Sequence, residues 1–102
     1  MLSVMEHLDI NRVLRIYLGT DANGGFQPVG CEKRLRSAFP TDYTRMMELA
    51  SPYLDEHQSP DFSRGGLVEE RDRFADVLRQ KFPELDDICV RALANRWSYD
   101  YR

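Results

Sequence analysis

The stretch DANGGFQPVGCE, residues 21–32, carries the arrangement of oxygen-bearing side chains closest to a metal site in this chain. Asp21, Asn23 and Glu32 occupy positions 1, 3 and 12 of a twelve-residue loop flanked by helix-like segments. A helix-loop-helix calcium site needs a further oxygen ligand at position 5, a glycine at 6 and a bidentate acid at 12. Position 5 is Gly25, without a side-chain oxygen, and position 6 is Phe26, which resists the positive φ of that turn. Turn chemistry alone accounts for Asn23-Gly24-Gly25. The stretch reads as a flexible loop and not as a calcium site.

Other chemistry is equally unassembled. His7 and His57 stand 50 residues apart, outside the one-turn spacing of paired histidine ligands. No serine sits in a nucleophile elbow, and the glycines do not form a phosphate loop. Cys31 and Cys89 fall on the apolar faces of helical segments and read as buried thiols. The expectation is a protein without catalytic residues, metal or cofactor.

Charged and aromatic clusters are more informative. Lys33, Arg34 and Arg36 form the one compact basic cluster, and Arg12 and Arg15 extend it if their two helices pack side by side. Such a face suits phosphates or an acidic protein partner. Acids gather later, at Asp55-Glu56, Glu69-Glu70-Asp72 and Glu84-Asp86-Asp87. Two of these groups lie in first turns of helices, where they complement the helix dipole. The end RWSYDYR puts Trp97 on a core stripe and leaves Tyr99 and Tyr101 past the helix as interface or lid.

The elements that position these residues are helical. Ile10, Val13, Leu14, Tyr17 and Leu18 repeat at i, i+3, i+4, i+7 and i+8, and Gly19 follows as a stop. Cys31, Leu35, Ala38 and Phe39 share a second face; Tyr43, Met46, Met47, Ala50 and Leu54 share a third, with a kink or restart expected at Pro52. A fourth helix runs from about Leu67 to Phe82 with Phe74 and Leu78 inward, and a fifth starts near Glu84 and carries Leu85, Ile88, Ala92 and Leu93. No segment alternates with period two. LRSAFP (35–40) and LRQKFP (78–83) echo one another, each closing a helix and turning a sharp corner at proline.

Composition bounds the rest. The 102 residues make one domain, residues 1–102, with 42% hydrophobic and 30% charged residues. Twelve of the fourteen basic residues are arginine, and the net charge is −3, a balance that disfavours a dedicated nucleic-acid protein. No apolar run reaches a membrane-spanning length, and the first ten residues lack the basic start of a secretory signal, so a cytoplasmic location is expected. The fold class expected is all-α, a compact single domain of about five helices packed obliquely with sharp Pro-containing corners. The function expected is a small protein-interaction or regulatory module that contacts its partner through Lys33, Arg34, Arg36, Tyr99 and Tyr101. The alternative is a nucleic-acid-associated protein holding phosphates on Arg12, Arg15, Lys33, Arg34 and Arg36. Homo-oligomers are compatible with either.

Overall fold

Ile10, Val13, Leu14 and Leu18 are buried along one stripe of helix α1 (Leu2–Leu18), as their spacing requires. The structure of the chain, a computed structural model, describes residues 2–20, 24–57 and 65–99, and of residues 2–9 the backbone alone. Four more helices follow: α2 (Cys31–Ala38), α3 (Tyr43–Leu54), α4 (Leu67–Lys81) and α5 (Asp87–Tyr99). The described residues contain no strand, and the molecule is an all-α globule around one core. None of these helices is long and apolar enough to cross a membrane.

Helix α1 packs against α2, α3 and α5, and α4 lies on the far side of α5. That placement explains why α5 buries a wide face, with Cys89, Val90, Ala92, Leu93, Ala94 and Trp97 all buried, and leaves a narrower polar side at Asp87 and Arg91. Phe74 of α4 stacks on Trp97 at 5.3 Å between ring centroids, so the tryptophan seals the core at the α4–α5 contact. Helix α2 buries Leu35 alone, and Ala38, expected inward, is exposed.

The two Phe-Pro corners share one geometry. Phe39 (φ −131, ψ 69) and Phe82 (φ −127, ψ 69) cap α2 and α4, and each amide still bonds the carbonyl four residues back, Leu35 and Leu78. The following proline keeps both out of helical space. The echo in the sequence is therefore a repeated corner.

Three boundaries differ from expectation. Pro52 sits inside α3 without a break: it lies in the last turn, and Asp55 still donates to the Ser51 carbonyl at 2.8 Å. Helix α5 begins at Asp87, because Pro83–Leu85 form a turn and Asp86 acts as its cap, with Oδ1 accepting the Cys89 amide at 2.9 Å. Tyr99 is the last residue of α5 rather than a residue beyond it.

Asp86 also ties α5 to α1. Its Oδ2 accepts from Arg15, its amide donates to Asn11 Oδ1 at 2.9 Å, and Asn11 Nδ2 donates to the Glu84 carbonyl at 3.2 Å. Replacing Asp86 with alanine removes both cap and ion pair, with an expected loss of about 1–2 kcal/mol. Asp86→Asn keeps a capping oxygen and gives up only a half-exposed ion pair, for a loss of under about 1 kcal/mol. Urea unfolding of the two variants beside the parent measures both values.

Candidate functional site

The basic cluster of α2 divides into one residue bonded inward to the backbone and one exposed face. Helix α1 ends in a left-handed Gly19 (φ 62), whose amide bonds the Ile16 carbonyl while Thr20 bonds that of Arg15. These two bonds are the Schellman closure of a helix C-terminus. The Gln27 amide then returns to the Leu18 carbonyl at 2.9 Å. Arg34 supplies what is left: Nε donates to Ile16 O at 3.0 Å, and one terminal nitrogen donates to Tyr17 O and Gln27 O, both at 2.8 Å. Its other terminal nitrogen donates to Val29 O at 2.7 Å. All four terminal carbonyls of α1 are thereby satisfied, and the guanidinium charge lies at the negative end of that helix dipole. A Cβ on Gly19 would come within 2.8 Å of the guanidinium carbon, so glycine is required there for space as well as for φ.

Lys33 and Arg36 point the other way. Both are exposed and lie one turn apart on α2. The Arg36 guanidinium carbon is 4.5 Å from the Tyr43 ring centroid, and that of Arg12 is 5.5 Å from the ring of Phe39, the residue capping α2. Among the described residues, Lys33, Arg36 and Arg12 form no ion pair. On the opposite side the cations are paired: Arg79 with Asp76 and Asp87, Arg91 with Asp87, Arg73 with Glu70, Lys81 with Glu56. The Arg79 hydrogen bond, reinforced by the nearby charges, holds the Asp87 carboxyl below the usual carboxylate range. The acidic clusters of the second half thus serve largely as internal partners.

A groove of about 740 Å³ opens between the C-terminal end of α1 and α2, bounded by Ile16, Gly19, Ala38, Ser37, Arg15 and Lys33. A shallower recess of about 410 Å³, lined by Glu32, Lys33, Arg36 and Ser37, shares Lys33 and Ser37 with it. The two form one continuous surface on α2.

The aromatic tail is only partly placed. Tyr99 packs edge-on against Phe26 at 5.9 Å, so it closes over the described part of the loop while remaining 43% exposed. Tyr101 lies outside the described residues, as do Asp21 and Asn23 of the calcium-like pattern. The loop expected to be flexible is anchored over 24–30: Gly24 is buried, its carbonyl accepts from Asn95 at 2.8 Å, and Arg34 holds Gln27 and Val29.

The thiols differ from one another. Cys89 is buried among the helices, and burial first, with Asp86 second, pushes it up to about 12. Cys31, expected in the core, is half-buried at the start of α2, where Arg34 approaches its sulfur at 3.4 Å. One buried acid escaped sequence reasoning. Glu70 is 1% exposed and paired with Arg73. Its place in the row 67, 70, 74, 78 was the available signal, because that row is the inward face of α4. Tyr53 donates to Glu84 at 2.6 Å and is pushed up to about 12, by burial first and then by this bond, which links α3 to the second corner. The described residues contain no group of three or more histidines, cysteines and acids that could hold a metal ion.

Comparison with known proteins adds no relative: no family model matches the chain, and no curated protein or solved structure matches it.

Two outcomes follow. Arg34→Lys loses the fork that reaches four carbonyls and is expected to cost about 2 kcal/mol in chemical unfolding; Lys33→Ala and Arg36→Ala change stability by no more than about 0.5 kcal/mol. Iodoacetamide at pH 8 is expected to label one thiol of the folded protein, Cys31, and to reach Cys89 only after unfolding, as peptide mass spectrometry reads directly. Cys89 stays protonated in the native state well above its unfolded value, so raising the pH to 9 leaves it protected.

Proposed function

We propose that the protein is a small cytoplasmic interaction module that binds an acidic partner protein through the outer face of α2 and the neighbouring part of α1. The observation that carries this reading is the set of three cations, Arg12, Lys33 and Arg36, that form no ion pair among the described residues, in a chain whose net charge is −3. On the α4–α5 side the same kind of residue is matched to carboxylates. Two of the three are held over aromatic rings, which fixes them in place and lowers the entropy lost on docking. The chemistry of surface complementarity fits: such charges steer encounter and set specificity. Two free thiols suit a reducing compartment.

Nucleic acid is the second reading, because arginines over aromatic rings also suit phosphate and base contacts. Magnitude decides against it. Three phosphate contacts give a log–log salt slope of only about −2 to −3. Arg15 and Arg34, which would have enlarged the patch, are engaged with Asp86 and with backbone carbonyls.

The test is a tagged pull-down from native lysate, with and without nuclease, using the parent and Arg12→Glu/Lys33→Glu/Arg36→Glu. A protein retained by the parent through nuclease treatment and lost in the triple variant is the expected result. Retention that disappears on digestion favours nucleic acid, and equal retention by both proteins overturns the assigned face.

A further inference from the structure

We propose that the groove between the C-terminal end of α1 and α2 holds a bulky apolar side chain from an acidic peptide segment of the partner. This rests on the interaction reading above and specifies its occupant. The groove exists because Gly19, Gly30, Ser37 and Ala38 fill little space, while Ile16 gives it an apolar wall. At about 740 Å³ it is a shallow, open groove, which can seat one side chain against Ile16 and Ala38 without enclosing it. Its rim carries Lys33, which forms no ion pair among the described residues, whereas Arg15 is already paired with Asp86; no carboxylate lines the groove. Arg36 lies in the adjoining recess, which Glu32 also lines.

The C-terminal end of a helix normally repels an anion. Here each terminal carbonyl of α1 already accepts a hydrogen bond, and the Arg34 charge offsets the dipole, so the helix end does not oppose an acidic segment that pairs with Lys33 and Arg36. Val29 extends the apolar surface beside Gly30. It is 83% exposed, yet its carbonyl is pinned by Arg34 at 2.7 Å, which leaves a fixed apolar contact facing outward.

A phage-displayed library of random twelve-residue peptides, panned on the immobilised full chain, tests the proposal. Enriched peptides are expected to place acids on both sides of a Leu, Ile or Phe. Their affinity, read by fluorescence anisotropy, is expected to fall at least tenfold for Lys33→Glu, which reverses the charge, and for Ala38→Trp, which fills the groove. Both positions are exposed, and circular dichroism checks that each variant folds. Peptides that bind Ala38→Trp as tightly as the parent but fail on Lys33→Glu overturn the groove and leave the interaction face standing. Enriched peptides without acids or without an apolar anchor overturn the proposed occupant. Failure to enrich any peptide, with a lysate partner still lost on triple charge reversal, also sinks the groove alone; failure of both experiments sinks the interaction reading with it. Concentration-dependent dimerisation in sedimentation, abolished by Ala38→Trp, assigns the groove to a second copy and overturns the peptide.

Discussion

One guanidinium organises the N-terminal half of this protein. A helix must leave its last carbonyls without intrahelical partners, and the end of α1 meets that need with bonds from α2 and the following loop. Arg34 approaches that end from α2 and bonds two of its carbonyls together with two from the incoming loop. The same side chain therefore closes α1, fixes residues 27–29 and sets where α2 lies. Helix α2 has eight residues and one fully buried side chain, Leu35, so burial alone gives it only a few kcal/mol. Its position depends on the neighbouring arginine as much as on its apolar contact.

This commitment changes how the surface charge is read. Arginine favours forked, planar bonding, and in this chain that capacity is used inward at Arg34 and Arg96, the latter donating to the Leu54 carbonyl at 2.9 Å. Arg79 bridges two aspartates, one on its own helix and one at the start of α5. What is left without an ion pair among the described residues is a short positive strip, narrower than the sequence cluster and displaced towards Arg12.

The helices were legible because burial on one side of a helix leaves a 3.6-residue rhythm: Val13, Leu14 and Leu18, then Phe74 and Leu78, then Leu93 and Trp97. What the rhythm does not encode is polar pairing between distant residues. Arg34 belongs to a local run of cations and reads as a solvated face, whereas its partners Ile16 and Tyr17 lie 18 and 17 residues back. Asp86 reads as a first-turn acid and is the residue before the turn, a distinction of one position that pattern reading cannot resolve. The loop was expected to be mobile from its glycines, yet Gly24 is needed for close approach: a Cβ there would come within 2.6 Å of Arg91. The candidate site was legible as residue types at Lys33 and Arg36. The groove beside them was not, because it is defined by side chains that are small.

The bonds from Asn11 and Arg15 to the start of α5 span 71 to 78 residues. Closing a loop of that length costs about 4 kcal/mol of chain entropy before any contact rewards it. On a ribosome adding 5–20 residues per second, α1 emerges roughly 4–15 s before the helix that covers it. Through that interval the stripe of Ile10, Val13, Leu14 and Leu18 has only α2 and α3 to cover it, so a nascent chain passes through a stage in which a chaperone has an apolar helix face to hold.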